Sequence, residues 1–301
     1  MAAQPTTLST LLLTNPATAA LKTGKVRSDV VDFNFADVKV SNTQFKPLVR
    51  EQKYDMGELA TVTYLMAYER GTPYALLPGT VVGRNQHHTI FYNAERGKLS
   101  ARDLNGKRVG VRAYTQTTGA WVRGFLAEDY GVDNERVQWV TFEDAHVTGY
   151  DDPKFVERAA EGKTIKQMLI DGELDAAILG DYPEEGPLKH LIPDHEQAGR
   201  DWAKRHGGVP INHLVVIRGS IAEEKPEVVR EVWRLLKESR AAANPPYESG
   251  DADPLRFGVS KVRQSFETLA GYALKQKLLT KPISFDDVFA KARSILGAAA
   301  E

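Results

Sequence analysis

The sequence predicts an α/β protein of two lobes, with the second lobe inserted into the chain of the first. Three observations point there. Short apolar runs alternate with helical patterns over the first third, the same rhythm restarts at ARDLNGKRVGV, and a late apolar strand, PINHLVVIRG, leads into amphipathic helices. At 301 residues and 42% hydrophobic content, the chain is long enough to bury a core in each lobe.

In chain order, the first series comprises STLLLTN, VVDFNFADV, a helix at QFKPLVREQ, YDMGELAT, a helix at TVTYLMAYERG and the strand-like YALLPGTVV. After HHTIFYN, the run Asn105, Gly106 and two basic residues precedes a new apolar strand, which places a crossover there. The second series is a strand at KRVGVRAY, a helix from about Thr117 to Glu128, a strand at VQWVTFE, a helix at TIKQMLIDGEL and a strand at DAAILG. From Asp181 to Gly208 the sequence turns polar and irregular, with Pro183, Pro187 and Pro193. Pro226 opens a helix whose apolar positions, Val228, Val229, Val232, Leu235 and Leu236, lie on one face, and two more helices follow at roughly 255 to 278 and 284 to 297. Lobe 1 is thus expected over 1–105 and 207–301, and lobe 2 over 106–206. The competing pattern is one large doubly wound sheet with a helical tail. Two lobes imply a ligand cleft between them.

Charge and composition narrow the function. Thirty-nine lysines and arginines balance 40 aspartates and glutamates, so no net field favours nucleic acid or an acidic membrane. The absence of cysteine excludes disulfides, thiolate metal sites and cysteine nucleophiles. The longest early apolar run, STLLLTNPATAAL, is broken by Asn15 and Pro16 and is too short to span a membrane. It lacks leading basic residues, so a cytoplasmic protein is expected, or a periplasmic one if the N-terminus is a trimmed mature end. HExxH, GxGxxG, GxxxxGK[ST] and GxSxG motifs are all absent from the sequence.

Four groups of residues could carry chemistry. The hydroxyl-rich turn Thr115, Gln116, Thr117, Thr118 stands at a helix start, where unpaired backbone N–H groups and the helix dipole suit a carboxylate; simple N-capping by threonine is the plainer alternative. In GRNQHHTIFYN, Arg84 could grip a carboxylate with two parallel hydrogen bonds, and His87 or His88 beside it could bind substrate or deliver a proton, unless all three merely solvate a strand end. Glu58 is either a cleft carboxyl or an acid at a helix start. His213, interrupting PINHLVVI, is either a satisfied core histidine or a cleft-facing one. Asn15, in the turn after the first strand, joins the substrate-binding candidates. Trp121 and Arg123 lie further along the helix, and Trp121 reads as core or cleft wall.

Taken together, YDMGELATVTYLMA, GKRVGVRAYTQTTGAWVRGFLAEDYGV, QWVTF, LIDGELDAAI and PINHLVVIRGS resemble the 4,5-dihydroxyphthalate decarboxylase family, a group with the type II periplasmic-binding-protein fold. The resemblance runs from about Thr10 to Phe289 and includes PLRFGVSKVRQSFETLAGYA. It implies two α/β lobes joined by two crossing strands, a ligand cleft between them and C-terminal helices on lobe 1. Arg84 and His88 match the family's Arg-x-x-x-His spacing, while His87 stands where members more often carry arginine. Glu58 resembles the family's strand-end glutamate facing the cleft. One departure is visible: decarboxylating members carry a Tyr-Asp-Arg-Thr type turn after the first strand, whereas TNPATAALKTG has no charged side chain before Lys22.

What the resemblance implies is non-oxidative removal of carbon dioxide from a hydroxylated aromatic carboxylate such as 4,5-dihydroxyphthalate. Arg84, His87, Asn15 and the 115–118 turn would bind, and His88, His213 or Glu58 would supply the proton. No organic cofactor is expected and a divalent metal is left open, as is a homo-oligomer; nucleic-acid binding and membrane insertion are not expected. The rival is a non-catalytic solute-binding protein that passes a small aromatic carboxylate to a transporter, and a regulatory effector domain is weaker because no DNA-binding helix pair accompanies the lobes.

Overall fold

A computed structural model describes residues 4–243 and 253–301. Most of the polar stretch AAANPPYESGDADP, residues 244–252, lies outside the described residues. Two sheets organise the chain. The first has the order β2-β1-β3-β11-β4, built from β1 (Thr6–Leu11), β2 (Val31–Phe35), β3 (Met56–Ala60), β4 (Tyr74–Gly83) and β11 (Ile211–Arg218). In it β1, β2 and β3 are parallel, and β11 returns antiparallel between β3 and β4. The second has the order β10-β5-β9-β6-β7-β8, from β5 (Ile90–Asn93), β6 (Arg108–Val111), β7 (Gln138–Thr141), β8 (Val156–Arg158), β9 (Ala176–Ile178) and β10 (Leu188–His190).

Helices α1 (Ala19–Lys22), α2 (Phe45–Glu51) and α3 (Thr61–Glu69) interleave with the first sheet. In the second lobe lie α4 (Thr117–Tyr130), α5 (Ile165–Asp171) and α6 (His195–Arg205), and the chain closes with α7 (Gly219–Glu224), α8 (Pro226–Ala241), α9 (Val259–Lys275) and α10 (Phe285–Leu296). The apolar stripe of α8 buries Val228, Val229, Val232, Leu235 and Leu236, the face its spacing predicts.

Two features differ from the sequence expectation. The crossover between sheets lies at 84–89 rather than near 105, because β5 already pairs antiparallel with β9 and β10 in the second sheet. Four residues, IFYN, paired antiparallel on both sides do not restart a β/α rhythm, so the sequence pattern marks the exchange one strand late. The stretch taken as irregular also contains β10 and α6. Only Gly199, Trp202 and Ala203 of α6 are buried, too few to write a visible stripe.

The lobes are not independent bodies. Ten consecutive residues of α4, Thr117 to Leu126, are buried, since the helix is covered both by its own sheet and by α3 and α9 of the first lobe. The Trp121 indole N–H donates to the Ile211 carbonyl at 2.8 Å, and Trp121 packs edge-on against Trp202 and Tyr272. The buried Arg123 guanidinium donates to Gln276 Oε1 (2.8 Å) and to the Tyr114 carbonyl (2.6 Å), and Gln276 in turn donates to the Ala120 carbonyl (2.9 Å). One core cluster therefore contains Leu59 and Leu214 of the first sheet together with Val109 and Trp139 of the second.

Gly124 lets α4 and α9 approach closely: a Cβ there would sit 2.1 Å from the Tyr272 ring. Gly124→Ala is expected to cost about 3 kcal/mol through overpacking. Gly131→Ala, at the left-handed C-cap of α4 (φ 68°) with open space around it, costs only about 1 kcal/mol. Urea unfolding of the two variants beside the parent checks the ranking.

Candidate active site

In open α/β sheets the ligand crevice lies at the carboxyl ends of the parallel strands, and here β3 and β6 both end on a cavity between the lobes. The cavity has a volume of about 370 Å³, the size of a small-ligand site. β3 passes into α3 without a loop, and β6 passes through Arg112–Gln116 into α4, so the N-termini of two helices from different lobes meet at the cavity. Neither helix has a side-chain cap at its N-terminus. Thr117 Oγ1 instead accepts from the Val62 N–H (3.1 Å) and Thr118 Oγ1 from Asn212 Nδ2 (3.2 Å), so both hydroxyls reach across the lobes and keep their own O–H to donate. The remaining first-turn amides of α4 have no backbone acceptor, which leaves a positive helix end facing the cavity.

The floor is a buried acid and a histidine. Register sets them together: Glu58 pairs with Val215 and His213 with Ala60, so the two side chains lie diagonally on one face of the β3–β11 pair. His213 Nδ1 is 3.1 Å from Glu58 Oε1. Ser41 Oγ donates to the same oxygen at 2.5 Å and the Leu13 N–H to Oε2 at 3.0 Å. Burial alone would push the fully enclosed Glu58 up, but the hydrogen bond and charge of His213, then Ser41 and Leu13, outweigh it and hold the carboxyl below its ordinary range. Glu58 is therefore a carboxylate that orients an imidazole, leaving His213 Nε2 toward the cavity.

Two guanidinium groups line the walls, Arg84 from the first crossing segment and Arg112 from the end of β6. Each has an acid: Arg84 pairs with Asp181, and Arg112 donates to Glu143 Oε2 at 2.9 Å. Arg84 keeps a buried Nε–H with no acceptor. His146, from the loop after β7, completes the wall, with Nδ1 at 2.9 Å from Thr63 Oγ1.

Of the residues singled out in the sequence, Arg84, Glu58, His213, Gln116, Thr117 and Thr118 line one cavity. The others do not. Thr115 is buried behind the turn. Asn15 closes its own turn, its Oδ1 accepting from the Ala17 and Thr18 N–H groups and its Nδ2 donating to the Val81 carbonyl. His88 sits on Asp181, Nε2 to Oδ1 at 2.7 Å; burial, then Arg84, His195 and His190, lower its pKa to about 4, so it orients that acid as a neutral imidazole. His87 is fully buried and stacked on Phe125 at 3.9 Å with neither ring nitrogen partnered. Sequence reasoning missed Ser41, Phe45, Arg112, His146, Asp181 and Asn212 in the lining. Arg112 and Asp181 follow the carboxyl ends of β6 and β9, so strand-end position could have flagged them; His146, in FEDAHVTG, carries no comparable signal. Among the described residues no group of three or more His, Asp or Glu side chains is arranged to hold a metal ion. No helix of the described residues is long and apolar enough to cross a membrane.

The chain and its fold are similar to those of known proteins. No family model matches the chain. A 4,5-dihydroxyphthalate decarboxylase of Comamonas testosteroni is 32% identical over 239 residues, spanning 73% of this chain and 70% of that protein. The enzyme of the same name from Pseudomonas putida is 34% identical over 198 residues, 60% of this chain and 74% of that protein. Among solved structures, the alkanesulfonate-binding protein SsuA from Xanthomonas axonopodis pv. citri, bound to MOPS, superposes with a TM-score of 0.62 at 14% identity, over 95% of this chain and 99% of that one. The fold is thus the two-lobed, periplasmic-binding-protein-like one.

His87 makes the fold acid-sensitive. Burial first, then Arg205, His88 and His195, lower its pKa from 6.5 to about 3. Between those values the unfolded chain binds a proton that the folded one refuses, so its stabilising contribution is complete above about pH 6.5 and disappears as pH falls towards 3. The slope is about 1.4 kcal/mol per pH unit for this one group. His87→Phe, which keeps the stack on Phe125, is expected to flatten the decline in melting temperature between pH 6.5 and 4; an unchanged slope would exclude His87 as its source.

Proposed function

This chain belongs to the 4,5-dihydroxyphthalate decarboxylase family, and we propose that it is a carboxy-lyase that removes carbon dioxide from a hydroxylated aromatic dicarboxylate bound between the lobes. The observation that carries the reading is the Glu58–His213 pair at the cavity floor. A receptor needs donors for a carboxylate but no buried acid holding an imidazole toward its ligand. An enzyme that protonates a ring carbon needs that arrangement, because the Glu58 carboxylate stabilises the imidazolium from which the proton leaves.

In this reading a substrate carboxylate lies at Arg84 and the amides and hydroxyls of Gln116–Thr118, and a second carboxylate lies toward Arg112. Asp181 and Glu143 already partner the two guanidiniums, so the incoming carboxylates either share the outer N–H groups with those acids or displace them. His213 Nε2 then delivers its proton to the ring carbon bearing the leaving carboxylate: the N–H bond breaks, the C–H bond forms, and electron density comes from the hydroxyl para to that carbon. Cleavage of the C–CO₂ bond returns its electron pair to the ring and restores aromaticity. One proton is consumed per carbon dioxide released, and solvent reprotonates His213.

Incubation of the protein with 4,5-dihydroxyphthalate and a panel of hydroxybenzoates, with carbon dioxide and product measured, tests the activity; tight binding without release anywhere in the panel would favour a solute-binding role. Glu58→Gln leaves no anion beside the imidazole and is expected to lower kcat by roughly 10²–10³ with little change in KM. Arg84→Ala removes charge-assisted hydrogen bonds and should raise KM about 10- to 100-fold. If Glu58→Gln turned over at the parental rate, the proton-donor role of the pair would be lost.

A further inference from the structure

The cavity holds a second imidazole, His146, to which the chemistry above gives no task. It is almost fully enclosed, yet Nε2 faces the cavity without a protein partner, while Nδ1 is committed to Thr63 Oγ1 in the first turn of α3. Phe45 touches both histidines, edge-on to His213 at 5.2 Å and to His146 at 5.5 Å, so a ligand ring in the cavity has both imidazoles within the same lining.

His146 is also held in place from the opposite lobe. Arg50, in the last turn of α2, donates through Nε to the His146 carbonyl (2.7 Å) and through Nη2 to the carbonyls of Ala145 (2.8 Å) and Val147 (3.4 Å). Three successive carbonyls of a second-lobe loop are clasped by one first-lobe guanidinium. A loop needs no such clasp for its own fold; the arrangement fixes where the His146 ring points.

We infer that His146 recognises the ring hydroxyl of the substrate, and that Arg50 is the positioning residue that holds it over the cavity. The assignment rests on the decarboxylase reading and deepens it. Burial first, then Arg112, Lys46, Arg50 and His213, lower the His146 pKa to about 3, so the ring is neutral. A neutral imidazole suits a hydroxyl, which donates and accepts and so pairs with either tautomer, far better than a carboxylate. With Nδ1–H directed to Thr63, Nε2 accepts from the phenolic O–H, increasing electron release into the ring as the para carbon is protonated. Within one cavity the guanidiniums thus read carboxylates and the neutral imidazole reads hydroxyl.

The test compares two ligands in a His213→Gln background, where binding is measured by calorimetry without turnover: 4,5-dihydroxyphthalate and phthalate, which has the carboxylates but no hydroxyl. The background protein is expected to prefer the hydroxylated ligand about tenfold or more, the worth of one good hydrogen bond. Adding His146→Phe, which keeps a ring against Phe45, should abolish the preference while leaving phthalate affinity unchanged; His146→Gln should restore part of it. Adding Arg50→Ala should reduce the preference in the same selective way. Equal weakening of both ligands by His146→Phe would mark a structural role and overturn the inference, as would equal affinity of the background protein for the two. Binding of neither ligand to the background protein would overturn the decarboxylase reading of the cavity and this inference with it.

Discussion

The site depends on one buried charge. Glu58 has no solvent exposure, and a carboxylate so placed costs several kcal/mol unless hydrogen bonds replace its water. Its donors come from three separate places: Leu13 just beyond β1, Ser41 before α2, and His213 on β11. Satisfying the carboxylate therefore fixes the end of β1, the approach to α2 and the rotamer of the histidine together. The register of β3 against β11 is part of the same constraint, because slipping it by one residue would turn His213 to the opposite face and leave the acid short of a donor.

Above that floor the cavity carries partly neutralised positive charge. Two helix N-termini and two guanidiniums face it, but each guanidinium carries its own acid, and the net field is milder than two free arginines would make it. Such a site favours a ligand that supplies directional oxygen pairs over one that supplies charge alone. The missing charged turn after β1 fits this picture: Asn15 there closes its own turn, and the acids and bases of the site come instead from β3 and the ends of β4, β6, β9 and β11, with His146 from the loop after β7.

How much of this was legible in the sequence depends on the kind of signal each part leaves. The β/α rhythm and the α8 stripe are periodic, and the corresponding elements formed as expected. The short antiparallel strands β5 and β10 have four and three residues and leave no period, so the exchange between sheets was read one strand late. For the site, types adjacent in sequence misled where a tight 3-10 turn separated them. His87 and His88 look like a pair, yet one stacks on Phe125 in the core and the other orients Asp181. Conversely, Glu58 and His213 are 155 positions apart and meet only because β11 inserts between β3 and β4. His146 was invisible because its role comes from a carbonyl clasp by Arg50, 96 residues away, and no composition encodes that.

The shared core limits how the cavity can be entered. In a two-lobed protein whose halves touch only through crossing strands, rigid-body opening exposes the whole cleft. Here α4 is packed on α3 and α9, and the Arg123–Gln276 bonds tie the two lobes through fully buried groups, so separation along that side would strand a guanidinium in an apolar interior. The lobes are also joined by Arg50, an exposed residue bonded to loop carbonyls, and exposed hydrogen bonds of that kind exchange with water at small net cost. The α4 side is therefore the firmer of these two attachments between the lobes, because its polar groups have no water to replace a lost partner.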